Sequence, residues 1–518
     1  MSETTAPHQA AGGHVQATVA RDDAYLARRT RTKRETRRRL NLTSATSLSV
    51  SIISFLTGTL GLYGQGAAAG GPAVMIWTWC ILFIPIWCVA RSMGEICSAY
   101  PTLGGPFYWT AELAKKYPRP ASWLVAWLNF TGDLAGTAFA AFSASLFIGR
   151  LFAVETGFAD TLHQDLLISA GIMLLAGVLN SFAVEVVAWL NRGSMIIHMG
   201  GAVVISGCLF AFARHHQSAS FVFTHFANNT AWNNRLYVVA LGAVVPLLTF
   251  TGFDANGHKA DETVGASRVA PKAMTRAVEL SFVGGLLLLI SLSFAIQNLP
   301  SELGTSFPAV PAQIILDALN GTGVLAVALI VWIIFGQIMC TISCVDAGAR
   351  MVVGAARENA LIANRYLHRF TERTRVPLRA VWTMTIGSFL FCVPGYFGLA
   401  WFYGITAYAA IALFLVYVIP TFLRLIHPEQ FTPGDFKLRH PYLVGWTAVG
   451  SIVIASIAAG LPVARDYMHW NTMNWAIPGV LLLVLVVLIG YGLFGRSTYQ
   501  GPQPHVSAEE LAALEADL

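Results

Sequence analysis

Charge is scarce in this chain. Asp, Glu, Lys and Arg make up 12% of its 518 residues, about half the ~25% of ordinary soluble domains, and 55% of the chain is hydrophobic. That composition argues against a soluble enzyme. No charged residue occurs over 41–90, 318–345 or 380–423; a bilayer-spanning helix needs about 20 apolar residues, so each stretch is long enough to cross. A secretory signal is missing too, because the first 40 residues hold no apolar run and end in RRTRTKRETRRR. Residues 1–43 read as a disordered basic cytosolic tail whose arginines touch anionic lipid. The seven cysteines include none with His at zinc spacing, and Cys340 and Cys344, one helical turn apart, read as small buried hydrophobes. No metal site is expected, the loop histidines His215, His216 and His225 included, and no cofactor. The net charge of +6 is scattered over short connections, where membrane topology explains it better than a nucleic-acid partner does.

What is present is an all-α polytopic membrane protein. Cutting the apolar runs at Gly, Pro and charge clusters predicts twelve transmembrane helices, near 44–68, 74–98, 121–149, 165–188, 193–213, 236–257, 278–298, 322–354, 380–397, 399–424, 442–464 and 474–494. If the basic N-terminal tail is cytoplasmic, every second connection should be basic as well. Those connections carry Lys115, Lys116 and Arg119, then Arg192, then Arg268, Lys272 and Arg276, then seven arginines between Arg350 and Arg379, then Lys437 and Arg439. The opposite ones carry Glu155, Asp160 and Asp165, Arg214 and Arg235, Glu302 and Asp317, and Arg465 and Asp466. Both termini are therefore expected in the cytoplasm, with 496–518 as the second tail.

Two spans contain helix-breaking chemistry, FLTGTLGLYGQG at 55–66 and LLTFTGFDANGH at 247–258. Irregular backbone in the hydrocarbon is tolerated where protein or a water-filled cavity surrounds it, so such breaks point to a substrate cavity. They fall in the first and sixth spans, the spacing expected of two five-helix inverted repeats that each open with a discontinuous helix. Small-residue helix packing is the competing reading.

The phrases SIISFLTGTLGLYGQGAAAGGPAVMIW and GEICSAYPTLGGPFYWTAELA resemble the amino acid/choline transporter branch, GABA and choline permeases among them, of the amino acid–polyamine–organocation superfamily. The resemblance continues through PRPASWLVAWLNFTGD, FTGFDANGHKADETVGASRVAPKAM, RTRVPLRAVW and ITAYAAIALFLVYVIPTFLRL, and so covers nearly all of 44–495. It implies a LeuT-like fold of 5+5 inverted repeats plus two helices, with a first repeat at about 44–213, a second at about 236–424 and the last two helices at about 442–494. It also implies a secondary amino acid permease of the cell membrane that works by alternating access.

On that footing, backbone around Thr57, Gly58 and Thr59 is expected to receive a substrate carboxylate at a half-helix N-terminus. Thr251, Gly252 and Phe253 mark the second break, where carbonyls receive an amino group and Phe253 or Phe250 covers the ligand. Asp254 is an intramembrane carboxylate and hence a functional candidate, for capping the second half-helix or for coupling to a proton. His198 stands where the family carries a recurrent His and is the first candidate for proton coupling. Asp133 departs from the family's Gln; it is either a counter-ion for a cationic substrate or a partner of His198 or Arg192. Asp346 departs from a Ser/Thr-rich pattern that Ser343 keeps, and is either part of the coupling site or salt-bridged to Arg350 one turn away. Arg91 with Glu95, and Asp261 with Glu262, are expected in an inner gate. Sodium coupling, a polyamine or choline substrate, and a non-transporting nutrient sensor are the competing readings.

Overall fold

The computed structural model describes residues 40–157, 161–182, 184–304, 309–371, 376–463 and 473–502, with Thr18, Val19, Asp22 and His469. Most of both expected tails lies outside those residues, as do Asp160, Arg465, Asp466 and two of the seven arginines. The regular structure of the described chain is helical apart from a two-residue pairing, in which Ala69 and Gly70 run antiparallel to Asn228 and Ala227, and a single bridge between Leu40 and Thr263.

Twelve segments form the bundle, largely as the apolar runs dictate. α1 starts at Leu42, where Asn41 and Ser44 close a reciprocal capping box. It runs to Ile53, breaks at Ser54 and resumes over Phe55–Gly61. α2 is Gly71–Ala99, α3 Pro118–Thr156, α4 Leu162–Phe182 and α5 Val184–Phe212. α6 comprises Arg235–Gly242 and Val244–Thr249, then Ala255–His258. α7 is Ala266–Ala295, α8 Val324–Arg357, α9 Leu378–Cys392, α10 Leu399–Ile426, α11 Pro441–Ala459 and α12 Ala476–Gly490. Proline at the first or second position starts α2, α3 and α11, where its missing N–H costs nothing.

Among the described residues, eleven helices are long and apolar enough to cross a membrane. The expected twelfth is α6, whose apolar stretch Arg235–Thr249 stops short of a full crossing because the chain breaks after it. Helix ends differ most at α7, which begins twelve residues before the expected 278 and carries Arg268, Lys272 and Arg276 on its first turns.

Burial separates the helices into an inner and an outer set. The most apolar window of α1 is 94% buried and that of α12 only 11%. On α12 the exposed side chains are Leu481, Leu482, Leu485, Val486, Leu488 and Ile489, an apolar face that fits lipid. Polarity runs the other way, since α1 buries Ser44, Thr46, Ser47, Ser49, Ser51, Ser54, Thr57 and Thr59. The inner helices are thus the ones that hold hydrogen-bonding groups away from water.

Candidate functional site

The two interruptions face each other. Ser54 adopts a left-handed conformation at φ 38°, which a non-glycine residue takes at a cost of about 1–2 kcal/mol. The amides of Thr57 and Gly58 turn back onto its carbonyl at 2.7 and 2.8 Å. The break is therefore four residues before the expected centre at Gly58, and those two amides are already used within the turn. Three contacts hold Ser54 in place: its Oγ lies 2.6 Å from Thr57 Oγ1 and 2.8 Å from His198 Nε2, and the Phe55 ring meets the His198 ring edge-on at 5.6 Å.

In α6 the break is held by a tyrosine. The Gly252 amide donates to Tyr417 Oη at 2.9 Å, and Tyr417 in turn donates to Asp254 Oδ1 at 2.7 Å. Gly252 has φ 85° and a Cβ there would stand 2.5 Å from Ile52 Cγ2. Gly58 is equally constrained, since a Cβ would lie 2.5 Å from Thr249 Oγ1 and 2.8 Å from its Cα. Both glycines are required where α1 and α6 cross at their breaks.

Between the breaks is a cavity of about 60 Å³, several times the ~10–15 Å³ needed to hold one water. It is lined by Thr57 and Gly58 from α1, Asp133 and Phe139 from α3, Thr251, Gly252, Asp254 and His258 from α6, and Cys340 and Cys344 from α8, among others. Asp133 thus faces the cavity, with Asn129 Nδ2 donating to its Oδ2 at 3.2 Å, and it touches neither His198 nor Arg192.

Other expected residues stand elsewhere. Phe250 and Phe253 do not cover this cavity. They line a separate small apolar one with Leu82, Phe414 and Tyr417, and Phe250 packs on Trp79 at 4.6 Å. The reason is spacing: 251 and 254 share one side of the broken segment, 250 and 253 the other. The aromatic ring that does line the polar cavity is Phe139. Thr59 is fully buried away from it.

His198 is wholly buried and its two ring nitrogens meet different partners. Nδ1 lies 2.8 Å from the Ser194 carbonyl, so Nδ1 carries the proton and Nε2 accepts from the Ser54 hydroxyl. Beside it runs a chain of small polar groups: Ser194 donates to Ser51 at 2.8 Å, Ser51 meets Ser343 at 2.6 Å, and Ser343 donates to Asn191 Oδ1 at 2.6 Å.

Asn191 leads to an ion cluster at the end of the bundle where α1 begins. Asp346 accepts from Asn191 at 3.4 Å, pairs with Lys259, and binds Arg350 Nη1 at 2.5 Å. Arg350 also binds Glu262 at 3.1 Å. Asp346 accordingly stands in the salt bridge and not on the cavity wall. Near the same end Glu95 pairs with Arg424 at 2.8 Å and accepts the Leu438 amide at 2.9 Å. Arg91 is not its partner; its guanidinium lies over the Trp87 and Phe436 rings at 5.0 and 4.9 Å.

Lys259, His258, Tyr417, Arg424 and Ser54 were not singled out from sequence. The four-residue spacing of Asp254 and His258 is readable in LLTFTGFDANGH. Tyr417 and Arg424 reach their partners from α10 and carry no local signal.

Comparison with known proteins bears on this geometry. Residues 40–489 match the family model for amino acid permeases. The chain is 30% identical over 488 residues to the amino-acid permease BAT1 of Arabidopsis thaliana, covering 91% of this chain and 94% of that one. It is 29% identical over 487 residues to the BAT1 homolog of Oryza sativa subsp. japonica, at 91% and 93% coverage. Amino-acid permease 2 of Neurospora crassa is 25% identical over 478 residues, at 88% and 86%.

Proposed function

Because this chain belongs to the amino acid permease family, we propose that it imports an amino acid or a related amine across the cell membrane by alternating access, driven by a proton gradient. The observation that carries this reading is the cavity, reached by Asp133, Asp254, Thr57 and Thr251, where two interrupted helices cross inside an otherwise apolar bundle. With the Thr57, Gly58 and Gly252 amides bonded within the protein, the hydroxyls of Thr57 and Thr251 would meet the α-carboxylate and the carbonyls at the two breaks the α-ammonium, beside Gly58 and Gly252 and with Asp133 as counter-ion.

His198 is the group through which a proton would act on α1. Protonated, its Nε2 must donate rather than accept, which reverses the bond to Ser54 and disturbs the break that Ser54 holds. The ion cluster of Lys259, Glu262, Asp346 and Arg350, together with the Glu95–Arg424 pair, would close the cytoplasmic side. Both termini would lie in the cytoplasm, in keeping with the alternation of basic and acidic connections, and α1–α5 and α6–α10 would be the two inverted repeats.

The test is uptake of radiolabelled amino acids and amines into proteoliposomes with and without an inward proton gradient. Proton-stimulated accumulation of any one supports the reading, and His198→Ala should then lose the part driven by pH. Accumulation that instead follows sodium at fixed pH would favour the sodium-coupled reading. Binding without entry would point to a sensor.

A further inference from the structure

The cavity brings two carboxylates together inside the bundle. Among the described residues that line it, the carboxylates are Asp133 and Asp254, and no Lys or Arg is present. A buried carboxylate needs a compensating charge or a proton. Two carboxylates facing one small cavity resist being ionised together. Neither Asp is neutralised by the ion cluster nearby, where Lys259 and Arg350 are both committed to Asp346.

A third titratable group completes the floor. His258 is 2% exposed and stands one turn after Asp254, with Nε2 at 3.3 Å from Asp254 Oδ2. Its Nδ1 is buried without a hydrogen-bond partner. The titratable groups that face this pair are Tyr417 from α10, Asp133 from α3, and Cys340 and Cys344 from α8, with Lys259 next in sequence; the segment at Gly105, uncharged there, packs against the His258 ring. α1 contributes only uncharged groups here, Ser49 bonding Asn256 and the Phe253 carbonyl. α7 approaches Gly257 through Met274.

The substrate's α-ammonium can neutralise one of the two acids. The other still lacks a positive charge. We propose that the Asp133–Asp254–His258 floor takes one further positive charge with each substrate, a proton when the amino acid is neutral and the substrate's own side-chain cation when it is basic. The proton resides on the Asp254–His258 pair; the side-chain cation enters the same field and leaves that pair unprotonated. This rests on the cavity being the substrate site. It adds a rule relating substrate charge to proton count, which transport alone does not require.

Norvaline and ornithine isolate the variable, since they share a five-carbon skeleton and differ by a terminal ammonium. The full chain is reconstituted in proteoliposomes with the membrane potential clamped to zero, and the equilibrium accumulation of each is measured against the imposed pH difference. One co-transported proton gives a tenfold accumulation per pH unit, because each factor of ten is about 1.4 kcal/mol. Norvaline should therefore show about tenfold more accumulation per pH unit than ornithine. In Asp254→Asn that difference should disappear. Norleucine and lysine repeat the comparison with one more methylene.

Equal slopes for the neutral and basic members in the unmodified protein overturn the proposal, whether or not the variant folds. So does retention of the difference in a folded Asp254→Asn. Accumulation of neutral amino acids with no entry of basic ones also overturns it while leaving the transport reading intact. If no amino acid enters by protein that is folded and correctly inserted, the transport reading itself falls.

Discussion

Gly58→Ala tests the crossing of the two broken helices directly. The added methyl meets the Thr249 Cα at 2.8 Å and its Oγ1 at 2.5 Å, and a backbone atom cannot rotate aside as a side chain can. The segments must part until that separation reaches the 3.4 Å at which ordinary van der Waals packing begins. Overpacking of this kind costs about 1–3 kcal/mol. Replacing a helical glycine by alanine recovers ~1 kcal/mol, so the net loss of stability is at most about 2 kcal/mol and the protein should still fold. The damage should appear in transport. The shift displaces Thr57 and Gly58 against Thr251 and Gly252 within one small cavity, and misplacement by about 1 Å can cost ~10²-fold where geometry is critical. Uptake at subsaturating substrate should fall by about tenfold or more, with gel-filtration profile and expression retained. Gly171→Ala is the control, because a Cβ there meets nothing within 4 Å. Adding Thr249→Ala should not rescue Gly58→Ala, since the clash with the Thr249 main chain stays. Wild-type uptake in Gly58→Ala would refute the close-crossing argument, and rescue by Thr249→Ala would show that the hydroxyl alone was the obstacle.

Arg424→Met leaves Glu95 buried without its 2.8 Å partner, a change that costs about 3–5 kcal/mol; a thermal denaturation curve that does not move would show the pair to be idle. Asp133→Asn should weaken transport of cationic substrates more than of zwitterionic ones, in competition assays with both classes, and equal losses would remove Asp133 as a counter-ion. Glu302, in the connection between α7 and α8, has its carboxyl raised above the usual carboxylate range by burial, against which the Gln297 and Asn298 amides pull it down. A carboxyl raised in the folded state favours folding while it is protonated, and that contribution is lost as pH rises through its folded value. Stability should therefore fall from mildly acidic to neutral pH in the native protein and fall less in Glu302→Gln, as measured by thermal unfolding across that range.

The bundle is legible because its signal is local. Runs near 20 apolar residues and their Gly, Pro and charge boundaries report eleven crossings to within a few residues at most ends, and the sixth segment is readable as broken from Thr, Gly and Asp at mid-membrane depth. The first break falls four residues before the expected centre because Ser54 carries no signature of a left-handed backbone; its contacts with Thr57 and His198 help to hold it there. Facing direction is harder. Whether Phe253 or Asp254 turns to the cavity depends on how the backbone leaves the break, and that is set by Tyr417 from a helix 165 positions away in sequence. Asp346 has a salt-bridge reading from its spacing to Arg350, but Lys259 as its second partner depends on packing between α6 and α8.

The cluster of Lys259, Glu262, Asp346 and Arg350 would, as the proposed gate, also set a timing constraint on the whole molecule. It ties the end of α6 to α8 and, through Asn191, to α5, so these elements can separate only as a unit. A closed state held by several linked bonds is lost in one step, not by degrees. Each 1.4 kcal/mol the cluster contributes shifts the balance between its closed and open forms by about tenfold. On the proposal that this cluster closes the cytoplasmic side of an alternating-access carrier, substitutions there would change how often the empty carrier resets relative to the loaded one, and so would trade net uptake against exchange.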